Sequence, residues 1–330
     1  MRKALAGVAA TALLVVVPPA WAGGGAHTLF HFRDARITES SGLVDLGDGL
    51  TATVNDSGDG PYVYVVDREG RTVGFTDYHG DAVDVESMAP IDAGHVWVGD
   101  TGGNIVARAK VQAYRVPVGR GNRDVRVPRY DLLYPDATHD AETLLADPRT
   151  GRLYVVSKAL LQGTVYAAPA HLRTGVSNRM RIVGSVPGMI TDGTFLPDGG
   201  HVLLRRYGNA TVYTFPGLEP VGPSFDLPAQ PQGEGISVGP GGRVRLSTEG
   251  VHSAVLQVRL PVAVQSALAG PPPTQRAAHL RHHHHGHKRR HHHHGHHHGY
   301  RQGLWWVAGA FAFTVLFLGA WFWSERRKLH

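Results

Sequence analysis

The chain of 330 residues contains no cysteine, so disulfide bonds and thiolate chemistry are excluded, and any bound metal must be held by oxygen or imidazole ligands. The formal net charge is +6, but the positive excess lies beyond residue 270. Between residues 23 and 270, 22 Lys/Arg stand against 26 Asp/Glu. This part therefore lacks the basic face that nucleic-acid binding needs, and no motif in it indicates an organic cofactor.

The first 22 residues predict secretion. A basic start at Arg2 and Lys3, an apolar run and the ending Ala20-Trp21-Ala22 are typical of a signal peptide that is cleaved after Ala22. An uncleaved anchor is the alternative. Either way, the residues that follow are expected outside the cytoplasm.

Residues 27–262 predict an all-β fold, because short alternating runs of Val, Tyr and Thr are separated by Gly, Pro and Asp. One pattern recurs five times, as TESSGL, DVESM, DAETL, TDGTF and QGEGI, starting at residues 38, 84, 140, 191 and 232. Three further strand-like runs follow each of the first four copies, and two follow the fifth. A spare run, HTLFHFRDARI, precedes the first copy.

Four strands per repeat at this period are typical of a β-propeller blade. The spare first strand would complete the last sheet and close the ring. The sequence therefore predicts a five-bladed β-propeller over residues 27–262. Six blades, with two of them in the interval 86–142, and a two-sheet sandwich are the alternatives.

Polar side chains recur at fixed places in these repeats. Because the first strand of each propeller blade lines the channel and side chains alternate along a strand, carboxylates of the first strands should ring one mouth; they are Glu39, Asp84, Glu86, Asp140, Glu142 and Glu234. Residues at the ends of the second strands should gather beside them; they are Asn55, Asp56, Asp100, Lys158, Arg205 and Glu249. Crowded carboxylates need a counter-charge, which Lys158, Arg205 and Arg206 or a bound Ca²⁺ would supply.

The motifs ITESSGL, NDSGD, YRVP, HDAETLL, GRLYVVSK, QPQGEG and STEG resemble a group of secreted or membrane-anchored bacterial β-propellers that is best represented in actinobacteria. The group is loosely similar to phytase-like and NHL-type propellers. The resemblance covers residues 36–262 and implies the fold rather than a reaction. The chain departs from the group at 84–87, where relatives have a Trp and paired acids, and at Gly103, where relatives have an acid; a function carried by that acid would be weakened.

Three functions remain open for this architecture. The first is a binding or scaffold module with its protein or small-molecule ligand at the channel mouth. The second is a metal-assisted hydrolase of phosphoesters or glycosides, with Glu86, Glu142 and Glu234 as catalytic candidates. No G-x-S-x-G or H-E-x-x-H motif is present, and the loop at Asn55 lacks the twelfth-position Glu of an EF-hand, since Val66 stands there.

The third function is transition-metal capture by a predicted disordered stalk at residues 263–302, which is rich in Pro and His. Imidazole suits Zn²⁺, Ni²⁺ and Cu²⁺. The candidate ligands are His282, His283, His284, His285, His287, His291, His292, His293, His294, His296, His297 and His298.

Residues 304–323 carry no charge and are long enough to cross a hydrocarbon core of ~30 Å as one helix. Trp residues stand at both ends of this run, as in interfacial belts. The segment 324–330 contains Arg326, Arg327 and Lys328, so it is expected in the cytoplasm. The sequence thus predicts a single-pass membrane protein with an extracytoplasmic propeller.

Overall fold

A computed structural model describes residues 25–56, 58–103 and 107–270. The first strand, β1 (His27–His31), stands apart in sequence from the sheet that it joins. Four consecutive strands then form blade one: β2 (Ser40–Gly47), β3 (Leu50–Asn55), β4 (Tyr62–Val66) and β5 (Thr72–Asp77). Each pairs antiparallel with the next.

Blade two contains β6 (Ser87–Asp92), β7 (His95–Asp100), β8 (Lys110–Pro117) and β10 (Arg129–Leu133). Between the last two lies β9 (Gly121–Asp124), which pairs parallel with β5 as a fifth strand of blade one. Blade three contains β11 (Ala141–Ala146), β12 (Leu153–Ser157), β13 (Gln162–Ala167) and β15 (Arg181–Pro187), and the intervening β14 (Ser177–Arg179) pairs parallel with β10 of blade two. The long interval 86–142 therefore holds one added edge strand, β9, and the six-bladed alternative is wrong.

Blade four contains β16 (Asp192–Phe195), β17 (His201–Arg205), β18 (Asn209–Thr214) and the two-residue β19 (Phe225–Asp226). Blade five contains β20 (Gly233–Val238), β21 (Arg243–Thr248) and β22 (Ala254–Arg259), and its fourth, outermost strand is β1. The predicted five-bladed propeller, closed by its first strand, is confirmed. The five first strands contact one another in a ring around the channel.

Each pair of adjacent blades encloses its own hydrophobic cluster. In β4, Val63 and Val65 pack into the cluster shared with blade two, whereas Tyr64 and Val66 pack into the cluster shared with blade five. This division follows from the alternation of side chains along a strand. A strand that packs against a neighbouring blade on each of its two faces therefore has no solvent-exposed face, and its sequence is nearly continuously apolar.

The chain ends its described part with one α-helix, α1 (Val262–Ala269). Val264 is fully buried in the cluster between blades four and five, and Leu268, one turn later, packs against the same cluster. This differs from the sequence prediction, which began the disordered stalk at residue 263. Apolar side chains four residues apart share one helix face, and burial of that face orders the segment. Among the described residues no helix is long and apolar enough to cross a membrane; the signal peptide and the predicted span at 304–323 lie outside them.

Candidate functional site at the channel mouth

One face of the propeller collects the loops that carry the predicted site. In every blade the first strand begins and the second strand ends on this face, because neighbouring strands are antiparallel. We call it the mouth face. It carries the carboxylates of the first strands, of which Asp84, Glu86, Glu142 and Glu234 are at most 5% exposed. Glu39, Asp56, Asp140 and Glu249 are half-buried.

Bulges in the first strands help to direct these side chains. The pairing of β11 with β12 shifts between Ala141 and Thr143, and that of β20 with β21 shifts between Gly233 and Ile236. Glu142 and Glu234 lie within these shifts, and a bulge re-aims the side chain that it carries. Blade four pairs without a bulge, and its motif, TDGTF, has no glutamate at this position.

A carboxylate trio lies at the junction of blades one and two. Oxygen atoms of Asp56, Asp84 and Glu86 all lie within 4.8 Å of one another. Gly102 packs directly against two of them: a Cβ atom at this position would lie 2.6 Å from Asp84 Cγ and Oδ2, and closer still to Glu86 Oε1. Ser41 from blade one donates a hydrogen bond to the main-chain carbonyl of Glu86 at 2.6 Å. The absence of a side chain at Gly102 thus allows the oxygens to converge.

A second group lies on the blades opposite. Lys158 Nζ forms an ion pair with Glu142 Oε1 and donates a hydrogen bond to the hydroxyl of Tyr207 at 3.1 Å. The same ammonium group lies 5.4 Å from the centre of the Tyr207 ring. Glu142 Oε2 is buried and has no hydrogen-bond partner among the described residues. Lys158 therefore compensates one of the two Glu142 oxygens and leaves the other available.

A third group lies at the junction of blades five and one, where Lys158 and Arg205 act on Glu234 only through longer-range electrostatic attraction. Glu39 and Glu249 are directly opposite each other in an isolated antiparallel bridge. Within the described part of the chain, no Lys, Arg or His forms an ion pair with Glu39, Glu234 or Glu249. Gln232 donates a side-chain hydrogen bond to Glu249. Like charges opposite each other across strands are unfavourable, so this side of the mouth is suited to a cation.

Beneath the mouth, Arg205 and Asp192 form a fully buried pair of register partners. Arg205 donates hydrogen bonds to the carbonyls of Gly235 (2.8 Å) and Ser247 (3.1 Å) and to Gln230 Oε1 (2.7 Å). Asp192 Oδ2 accepts a hydrogen bond from the amide of Ile236 at 2.7 Å. Both side chains thus reach from blade four into blade five, and Arg205 is a cross-blade structural contact.

Asn55 and Asp100 hold the loops that lead into the first strands. Asn55 Oδ1 accepts the amide hydrogens of Thr38 and Glu39. Asp100 likewise accepts that of Asp84, at 2.9 Å, and Arg108 donates to the same Asp100 oxygen at 2.8 Å. These bonds place Glu39 and Asp84, so Asn55 and Asp100 support the site from behind; direct contact of either with a ligand stays a prediction.

Burial is the main cause of the pKa shifts at the mouth. It raises the pKa of Glu86 to about 11, with added repulsion from Asp56, Glu142 and Asp84. Burial also raises the pKa of Glu142 to about 8, against the opposing effect of Lys158. The pKa values of Glu234 and Glu249 rise to about 7 for the same reason. Desolvated carboxylates of this kind favour a proton or a bound cation over the free anion.

These shifts predict an unusual pH dependence of stability. Because Glu234 and Glu249 have pKa values of about 7 in the folded chain, against 4.5 for an ordinary glutamate, the folded state binds more protons than the unfolded state between these values. The free energy of unfolding should therefore fall as pH rises through this window. We expect the Tm of the full chain in a mild detergent with EDTA to fall from about pH 5 to about pH 8, as measured by circular dichroism.

A matched pair of variants tests the origin of this slope. Glu249→Gln should flatten it, whereas Glu219→Gln, an exposed position on the opposite face, should leave it unchanged. A Tm that rises over the same range would contradict the assignment of raised pKa values to these groups.

Two residues that shape the site, Gly102 and Tyr207, are not among the predicted residues. Each lies two positions beyond the end of a second strand, as Gly102 follows Asp100 and Tyr207 follows Arg205. Aligning the repeats at these strand ends would have shown the position, although not the packing of Gly102 against the carboxylates. The twelve histidines predicted as metal ligands lie outside the described residues.

Comparisons with known proteins show distant structural neighbours and no matching family. No protein-family model matches the chain, and no curated protein matches it. Among solved structures, a nidogen/laminin complex is similar with 12% identity and a TM-score of 0.39, covering 64% of this chain and 73% of that one. A streptogramin B lyase structure is similar with 10% identity and a TM-score of 0.40, covering 73% of this chain and 99% of that one. The assignment to the five-bladed β-propellers rests on the strand order of the chain itself.

Proposed function

We propose that this protein is a ligand-binding module whose channel mouth holds a hard divalent cation, with Ca²⁺ as the best match. The observation that carries the proposal is the convergence of Asp56, Asp84 and Glu86, whose oxygens lie within 4.8 Å of one another. Ca²⁺ binds oxygen at about 2.3–2.6 Å, so two oxygens on opposite sides of one ion lie about 5 Å apart. The spacing of the trio fits this requirement.

The composition of the mouth supports a cation in preference to an anion. Eight carboxylates share the mouth with the half-buried Lys158, whereas Arg205 is fully buried beneath them. Gly103, which departs from the resembling group, donates its amide hydrogen to Asp140 Oδ1 at 2.8 Å. Asp140 thereby keeps a fixed orientation next to Glu142. The ligands proposed for the cation are Asp56, Asp84 and Glu86. The proposal therefore does not need an acidic residue at position 103.

Titration calorimetry with CaCl₂ on the full chain at pH 7.5 tests the proposal. We expect one saturable site for Ca²⁺, and a loss of affinity of at least about 10-fold for Glu86→Gln, because charge count sets calcium affinity. Gly102→Ala should weaken binding similarly, since the added methyl group displaces Asp84 and Glu86. Gly208→Ala, where a Cβ would meet nothing within 4 Å, is the matched control and should bind as the wild type does.

Heat signals that do not saturate, or Gly102→Ala and Gly208→Ala variants with equal affinity, would contradict the proposal. Thermal unfolding of each variant in EDTA separates loss of binding from loss of folding. Wild-type Tm should rise with added Ca²⁺ because the ligand binds the folded state.

A metal-assisted hydrolase is the second candidate. It is favoured by Glu142 and Glu234, whose pKa values of about 8 and about 7 suit proton transfer near neutral pH. The same preparation, screened with phosphoester and glycoside substrates, discriminates between the two functions. Turnover that Glu142→Gln abolishes would establish catalysis and reduce the binding function to substrate recognition.

Membrane anchoring and metal capture by the stalk are further parts of the proposal that rest on sequence alone. The uncharged run 304–323 and the basic segment after it support a single span with the propeller outside the cytoplasm. The His-rich tract supports binding of Zn²⁺, Ni²⁺ or Cu²⁺. Both segments lie outside the described residues.

A further inference from the structure

The mouth face carries exposed apolar side chains as well as carboxylates. Leu160, Tyr207 and Val251 are 77%, 38% and 53% exposed. They occupy one repeat position in blades three, four and five, two residues beyond Lys158, Arg205 and Glu249. Leu161, which is 86% exposed, follows directly after Leu160. An apolar arc of this kind at the rim of a polar depression is typical of an interaction surface.

A groove of about 310 Å³ lies on the same face, and Glu249 of blade five lines it. The loop between β21 and β22 forms one wall, with Glu249 and Val251, and the loop before β20 forms the other, with Ala229 and Pro231. Leu256 also lines the groove. Glu249 thus belongs both to the ring of carboxylates and to a groove whose lining is mainly apolar.

We propose that this groove and the carboxylates beside it bind a basic polypeptide segment, in which a Lys or Arg side chain lies between Glu39, Glu234 and Glu249 and an apolar neighbour fills the groove. Charge complementarity selects the occupant. Glu39 and Glu249 oppose each other without an ion-pair partner among the described residues, and a cationic side chain removes their repulsion. The apolar walls then favour a Lys or Arg residue whose neighbour in the peptide is apolar over a free metal ion.

The proposal deepens the proposed function, since both use the mouth as a cation-binding surface, and the two sites are neighbours, because the amide of Asp56 donates a hydrogen bond to the carbonyl of Glu39 at 2.9 Å. The Ca²⁺ site belongs to blades one and two, around Gly102. The peptide site belongs to blades five and one. Glu142, whose free Oε2 is buried, lies between them beside Lys158 and interacts electrostatically with Glu234.

Fluorescence anisotropy with three labelled pentapeptides on the full chain tests the inference. The probes are Gly-Leu-Lys-Leu-Gly, the same peptide with Nε-acetyl-lysine, and Gly-Ala-Lys-Ala-Gly. We expect the first peptide to bind saturably, with a Kd below about 1 mM. Acetylation, which removes the charge, should weaken binding about 10-fold or more, as for loss of a charge-assisted hydrogen bond. The alanine peptide should bind several-fold more weakly than the leucine peptide, because it buries less apolar area.

Protein variants then localise the binding. Glu249→Gln and Val251→Ser should each weaken binding of the leucine peptide, the first by lost charge and the second by lost apolar contact. Val176→Ser, at an exposed position before β14, and Glu219→Gln are the matched controls and should bind as the wild type does. Val251→Ser and the two control variants should keep the calcium affinity of the wild type, which shows that they fold, and thermal unfolding in EDTA shows whether Glu249→Gln folds.

Three outcomes would overturn the inference. Equal affinity for the lysine and acetyl-lysine peptides would exclude the cation site. Equal affinity for the leucine and alanine peptides would assign the mouth to small amines and exclude the groove. Unsaturable binding of every peptide by a chain that binds Ca²⁺ would exclude the peptide site and leave the proposed function standing, whereas peptide binding without Ca²⁺ binding would do the reverse.

Discussion

Replacing Arg205 by Met should lower the free energy of unfolding of the chain by about 3–5 kcal/mol, because buried hydrogen-bond acceptors that lose their donor cost about 1–3 kcal/mol each. The methionine side chain fills much of the space but donates no hydrogen bonds. The carbonyls of Gly235 and Ser247 would lose their partner, and Asp192 would lose the neighbouring positive charge that opposes the effect of burial on its pKa. The change should be measured by urea denaturation followed by circular dichroism.

Arg206→Met is the matched control, since its side chain is only half-buried and its loss should cost within about 0.5 kcal/mol. The double variant Asp192→Asn with Arg205→Met should cost less than the sum of the two single changes, because the residues are coupled. A loss below about 1 kcal/mol for Arg205→Met would show that the contact between blades four and five does not depend on this residue.

Replacing Phe32 by Ala should lower the free energy of unfolding by a similar amount, about 3–5 kcal/mol, the usual cost of removing a buried aromatic ring. Phe32 follows β1, is fully buried in the cluster between blades five and one, and its amide donates a hydrogen bond to Ser253 at 3.0 Å. This cluster joins the two ends of the propeller. Its loss should therefore release β1 from β22 as well as destabilise the fold.

Hydrogen exchange separates ring opening from general destabilisation. Amides of β1 and β22 should exchange faster in Phe32→Ala than in Phe195→Ala, which removes a ring from the cluster between blades three and four. Local opening of this kind needs less free energy than global unfolding, so the amide hydrogens that it exposes exchange faster. Equal protection of β22 in the two variants would contradict a special role of β1 in closing the ring.

The mouth concentrates groups that do not favour stability. Glu86, Glu142, Glu234 and Glu249 all have raised pKa values, and burial is the first cause of each. Clusters of such shifts are typical of functional sites. By contrast, carboxylates on the turns of the opposite face, such as Asp67 and Asp147, have lowered pKa values because backbone amides and arginines bind them. The two faces of the propeller thus use the same residue types for different purposes.

The repeats in the sequence predicted five blades, the closing strand and the acidic residues at the mouth, with a six-bladed ring as the alternative. These features depend on local patterns, namely strand alternation and a repeated acidic motif, and the repeat fixed which strand of each blade lines the channel. It also predicted Lys158 as the counter-charge, and the structure pairs Lys158 with Glu142.

Only the tertiary structure decided the separate roles of residues that the repeat makes equivalent. Asn55 and Asp100 bind the loops of their own blades, Arg205 reaches into the next blade, and Lys158 and Glu249 face the mouth. These differences depend on side-chain length, on the presence or absence of a bulge in the adjoining strand, and on contacts between residues far apart in sequence. The packing of Gly102 against Asp84 and Glu86 is of the same kind, because the convergence of three oxygens is a property of the assembled ring and has no local signal in the chain.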